Sequence, residues 1–137
     1  MSHEQAKKDK IGLAASTRCG NGLSPVAGCI VVDSSLTPRL SNLALQGMLA
    51  HELAHLKLGH KPDRSYGFHY GGKQEELNTD RVGVEILNAA GICGKAAMGQ
   101  TFKEAIPILG RGAWTGGDDH PSYLERLAQL EQMPANC

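Results

Sequence analysis

The 137-residue sequence predicts an α+β fold, a helical core flanked by a small β-sheet. Three observations lead there. Long segments around residues 42–58 and 74–90 repeat apolar side chains at helical spacing and carry recognisable caps. Gly28–Asp33 (GCIVVD) is a short β-branched run bounded by turn formers, which reads as a strand. The length suits one domain with a substantial buried core.

In chain order, residues 1–10 are polar and read as a disordered tail, leaving 11–137 as the single domain. Ile11 to Pro25 is rich in Gly, Ser and Ala and gives only a weak strand or loop signal. After the Gly28–Asp33 strand, Leu36–Leu40 reads as a short helical turn with Pro38 near its start. Ser41 is the expected N-cap of a helix over Asn42–Leu58, stopped by Gly59 and Pro62. Residues 60–73, with Pro62 and three glycines, form a loop. A second helix is expected over Gln74–Ala90, ending at Gly91, and a third over Lys95–Ile106, ahead of Pro107. Residues 110–119 are a glycine-rich loop, and Pro121 opens a last helix carrying Tyr123, Leu124, Leu127 and Leu130 at helical spacing.

Charge and composition exclude several function classes. With 14 basic and 14 acidic side chains the formal net charge is zero, so no footprint for nucleic acid or an anionic membrane surface is expected. Lys7, Lys8 and Lys10 read as a solvated tail. No run approaches 18 apolar residues, so no membrane span is expected. The segment before Ile11 lacks the apolar centre of a signal peptide, which points to a cytoplasmic protein. Cys19, Cys29, Cys93 and Cys137 form no CxxC pair; their number leaves room for one or two disulfides, and most read as buried free thiols.

The chemistry concentrates in HELAHLKLGH, residues 51–60. His51 and His55 lie about 40° apart around a helix axis, so both imidazoles can grip one Zn²⁺ from the same side. Glu52 points about 100° away from His51, where it reaches a metal-bound water as general base. Ala44, Gly47, Met48, Ala54 and Leu58 flank the histidines, and Leu45, Leu49 and Leu56 extend the apolar surface. The helix is therefore mostly buried, and buried imidazoles need partners. Backbone hydrogen bonds are the alternative to a metal for them.

A catalytic zinc site takes three protein ligands and keeps one position open. QEELNTDRVGVEIL supplies the third: Glu76 and Asp80 share an arc with Val84 and Leu87, whereas Asn78, Arg81, Glu85 and Asn88 face the other way. Buried carboxylates require cations. Glu76 as ligand and Asp80 as acceptor from a ligand histidine meet that need, and pairing with basic side chains is the alternative. His60 reads as a capping or loop residue and His69 as exposed. His120 precedes Pro121 at a helix N-terminus, a setting that favours anions, and is a candidate donor to a developing oxyanion.

Four ordered blocks across roughly residues 20–133 resemble the HtpX and CAAX-prenyl-protease-1 type of zinc metallopeptidase, a gluzincin family. CIVVDSSL resembles its strand and turn, and MLAHELAHLKLGH its metal-binding helix. EELNTDRVGVEILNAAGI resembles its third-ligand helix, with Thr79 where the family has Ala. DDHPSYLERLAQLE is similar to its His-Pro helix, here with the pair Glu125 and Arg126. The resemblance implies a zincin-like core, a zinc-dependent endopeptidase acting on protein or peptide, one Zn²⁺ on His51, His55 and Glu76, and Glu52 as base. It also implies that the His120 block faces the active site. Arg126 is expected beside the site, and is the first partner to test for Asp80 if that residue serves in an ion pair.

If the predicted strand is an edge, Cys29, Ile30, Val31 and Val32 align an extended substrate by strand addition. The other readings are a regulatory peptidase of the ImmA/IrrE kind, which the His120-Pro121 block disfavours, and a non-catalytic zinc-stabilised binding module, which Glu52 disfavours.

Overall fold

A computed structural model describes residues 14–19, 26–59, 72–109 and 121–134. Two strands, β1 (Ala14–Cys19) and β2 (Val26–Val32), pair antiparallel, with Ala14 opposite Val32 and an irregularity between Thr17 and Cys19. Among the described residues, a 3-10 turn at Thr37–Arg39 leads to four helices: α1 (Asn42–Lys57), α2 (Lys73–Ala89), α3 (Gly94–Leu109) and α4 (Tyr123–Glu131). The helical core and small sheet match the expected α+β class. The expected tail and both expected loops lie largely or wholly outside the described residues.

Each end has a local cause. Asp33 turns the chain out of β2, its carboxylate accepting from the Ser35 amide and hydroxyl at 2.9 and 2.7 Å. Ser41 caps α1, its hydroxyl accepting from the Ala44 amide at 3.2 Å. Glu104 of α3 in turn accepts from the Ser41 amide and hydroxyl at 2.7 and 2.6 Å, tying the start of α1 to its neighbour. Past the end of α2, Gly91 takes φ +78°, a left-handed conformation open to glycine, and the Ile92 amide closes onto the Leu87 carbonyl at 3.0 Å.

Helix α1 is the hub. Ala50, Val84, Leu87, Ala97, Met98, Phe102 and Leu130 form one buried cluster between the helices, and Leu40, Ala44, Met48 and Ala105 a second. A Cβ on Gly47 would stand 2.2 Å from the Thr101 hydroxyl oxygen and 2.5 Å from the Ala97 carbonyl oxygen, so only glycine lets α1 and α3 cross this closely. On the sheet side, a Cβ on Gly28 would meet a Leu56 methyl at 2.4 Å, which seats β2 against α1.

Two expectations are corrected. The third helix does not stop ahead of Pro107 but runs through it to Leu109. Pro107 lacks the N–H that would bond the Lys103 carbonyl, so the helix runs on for two residues past one missing backbone bond. Cys29 and Cys93 are not free thiols: both are disulfide-bonded. Disulfides persist in oxidising surroundings, so cysteine usage no longer supports a cytoplasmic setting. Among the described residues, no helix is long and apolar enough to cross a membrane.

Candidate metal centre

The fold brings donors from α1 and α2 to one point. His51 and His55 are buried on adjacent turns of α1, their rings edge to face with centroids 4.6 Å apart. His51 Nε2 and His55 Nε2 approach to 3.0 Å. Glu76, on the first turn of α2, reaches them with Oε2 3.2 Å from His51 Nε2 and Oε1 3.1 Å from His55 Nε2. His51, His55 and Glu76 form a group able to hold a metal ion.

The chemistry of this donor set fits zinc. Two imidazole nitrogens and a carboxylate face one another, and such groups converge only around something positive. With Zn–N near 2.0–2.1 Å, the edge of a tetrahedron of ligands is about 3.3–3.4 Å. The three observed separations of 3.0–3.2 Å fall just inside that edge. His51 supplies a second test. Its Nδ1 lies 2.7 Å from Asp80 Oδ1, and an ionised carboxylate only accepts, so Nδ1 carries the proton and Nε2 turns its lone pair to the centre.

Behind Asp80 stands Arg126 of α4. Its Nε donates to Asp80 Oδ2 at 2.8 Å and its Nη2 to Oδ1 at 2.7 Å, a bidentate pair closed off from solvent. Nη2 also lies 3.2 Å from His51 Nδ1 and 3.9 Å from Glu76 Oε2. The guanidinium is covered by aromatic faces, 4.3 Å from the Phe102 centroid and 5.0 Å from that of Tyr123. Asp80 thus accepts from His51 and pairs with a basic side chain at once, where the sequence reading set these as alternatives.

Electrostatics match the geometry. Burial works to lower the His51 pKa, yet Glu76 and Asp80 outweigh it and push it up to about 10. Burial works to raise the Glu76 carboxyl, but the two histidines and Arg126 hold it well below the usual carboxylate range. Asp80 is also lowered against burial, by Arg126 first and then His51.

A similarity to a known protein points the same way. Over 80 residues, 58% of this chain, the sequence is 30% identical to the Metalloprotease LoiP of Escherichia coli (strain K12). The chain spans 29% of that relative's length. No family model matches the chain, and no solved structure matches it. The chain is similar to part of a metalloprotease and carries a His-His-Glu group able to hold a metal ion.

The remaining expected residues divide by position. Glu52 is buried on α1, next to His51. Cys29, Ile30, Val31 and Val32 lie half-buried in β2, beside α1. His60, His69 and His120 lie outside the described residues. Phe102 and Tyr123 are the site residues that sequence reasoning missed. Tyr123 precedes Arg126 by three residues, a spacing that stacks side chains on one helix face and was a usable signal. Phe102 had none, because α3 meets α4 only in the folded chain.

Proposed function

We propose that the chain is a zinc-dependent endopeptidase holding one Zn²⁺ between His51, His55 and Glu76. The observation that carries this reading is the meeting of three donor atoms from two helices at 3.0–3.2 Å. Similarity to a metalloprotease supports peptide-bond hydrolysis as the reaction. The four ordered sequence blocks support the HtpX and CAAX-prenyl-protease-1 type, a gluzincin with a zincin-like core. The cytoplasmic setting is not carried forward, since disulfide-bonded Cys29 and Cys93 suit an oxidising compartment.

His51, His55 and Glu76 would hold the zinc ion, which when bound would supply Lewis-acid polarisation of the scissile carbonyl and a water with a pKa near 7. Glu52 accepts the water's proton as its oxygen adds to the carbonyl carbon, then delivers that proton to the leaving amine as the C–N bond breaks. Asp80 holds the His51 ring in its ligating tautomer, and Arg126 keeps Asp80 ionised and aimed. His120 donates to the carbonyl oxygen as negative charge builds there. Among the described residues the sheet has two strands, so β2 is paired through one edge by β1. Its other edge, with Cys29, Ile30, Val31 and Val32, aligns an extended peptide or protein substrate.

The test is Glu52→Gln. It keeps metal and fold and lowers kcat/KM on an unfolded protein substrate at least 10²- to 10⁴-fold. Activity above about a tenth of wild type would assign the water's proton to another group.

A further inference from the structure

Two aromatic rings and one guanidinium meet on the buried side of the ligands. Phe102 of α3 is buried, and its ring centroid lies 4.3 Å from the Arg126 guanidinium carbon. The Tyr123 centroid is 5.0 Å from the same carbon, and the two rings are 5.4 Å apart with 37° between their planes. Tyr123 shares α4 with Arg126, whereas Phe102 arrives from another helix. Thr101, its neighbour in sequence, donates its hydroxyl to the Ala44 carbonyl of α1 at 2.6 Å. This stretch of α3 is thereby fixed to the helix that carries both histidines.

The guanidinium edge is engaged with Asp80, through Nε at 2.8 Å and Nη2 at 2.7 Å. A planar fork held by its edge alone can swing about the carboxylate that it grips. Nη2 has a rival acceptor within such a swing. Glu76 Oε2 lies 3.9 Å away, beyond hydrogen-bond distance, and the same oxygen is 3.2 Å from His51 Nε2. An arginine paired with Glu76 would set its charge on a carboxylate that a metal ion needs. An aromatic face attracts a cation laid over it, and a guanidinium stacked there resists tilting.

We propose that Phe102 is a positioning residue of the metal centre, whose ring face holds the Arg126 fork on Asp80 and off Glu76, leaving the Glu76 carboxylate open to the metal ion. The inference rests on the reading of His51, His55 and Glu76 as a zinc site. Phe102 acts through Arg126 and touches neither metal nor substrate. Helix α3 supplies none of the three donors, yet through this ring it raises the affinity of a site built by α1 and α2. Arg126 serves the site while turned to Asp80 and competes with the metal when turned to Glu76. Loss of the ring face therefore weakens metal binding with every ligand still in place.

The test puts pentafluorophenylalanine in place of Phe102, which keeps the ring's shape and removes the negative charge of its face. Zinc affinity, measured by competition with a chromophoric chelator, is expected to fall about 3- to 30-fold, with the metal-free melting temperature close to that of wild type. Phe102→Leu, which deletes the face altogether, should lose at least as much. A second arm repeats the fluorinated ring in a chain carrying Asp80→Asn and Arg126→Met, which removes the buried pair together. There the ring should change zinc affinity by less than about 2-fold, because the cation it holds is gone. Zinc affinity unchanged by the fluorinated ring overturns the inference and leaves the metal site standing. A loss that persists undiminished without the buried pair also overturns it, since Phe102 then acts by packing alone. A wild type that binds no zinc removes the zinc-site reading and the inference with it.

Discussion

Asp80 is the residue on which the centre turns, because a completely buried carboxylate is tolerated only with its charge fully answered. It has two answers that meet at Oδ1, His51 and Arg126, and Arg126 also reaches Oδ2. Asp80→Ala removes the acceptor that fixes the His51 tautomer without removing a ligand. Zinc affinity should therefore drop about 10- to 100-fold without vanishing, measured by competition with a chromophoric chelator. Unchanged affinity would reduce Asp80 to an ion-pair partner of Arg126. Much of this was legible in the sequence. Glu76 and Asp80 share the arc of Val84 and Leu87, and that arc announces buried carboxylates in need of cations. The link from Asp80 to Arg126 spans 46 positions and joins different helices, so no local spacing encodes it. The sequence offered Arg126 only as a first basic partner to test for Asp80.

The elements that carry the donors are held by their ends. Ser41 satisfies the first turn of α1 and is itself clasped by Glu104. Ser41→Ala should cost about 1 kcal/mol in urea unfolding, and a variant as stable as wild type would show the cap to be idle. The Glu104 carboxyl is lowered mainly by its hydrogen bonds from Ser41. A depressed carboxyl contributes stability above its unfolded pKa and loses that contribution as pH falls through the folded one. Glu104 is largely solvated, so the contribution is small and screened. Acid unfolding of Ser41→Ala should accordingly be slightly flatter below about pH 4.5 than that of wild type. Helices α1 and α2 were legible to within a residue or two because their apolar periodicity and caps agree. Strand β1 was barely legible, since its pairing partner β2 and not its own composition makes it a strand. The extension of α3 through Pro107 runs against the sequence expectation, because a proline removes one bond to the preceding turn without having to end the helix there.

For the molecule as a whole, the apolar clusters lie between helices and do not depend on the three donors to be contiguous. The metal-free chain should therefore keep its helical circular dichroism after chelator treatment. Zinc at about a hundred times its Kd should add about 2.7 kcal/mol and raise the melting temperature by roughly 10 °C. A chelated chain that reads as coil would show that the metal organises the fold as well as the chemistry. At this scale the sequence was least informative about cysteine chemistry. Cys29 sits in β2 and Cys93 just ahead of α3, and sequence separation says nothing about which thiols meet.

The claim beneath all of this is that Glu76, arriving from a second helix, completes a centre begun by His51 and His55. Elemental analysis of purified, zinc-equilibrated wild type and Glu76→Ala tests it most directly. One zinc per wild-type chain and close to none in the variant is the predicted result. A full complement of zinc in Glu76→Ala would contradict it, and would move the third ligand elsewhere in the chain.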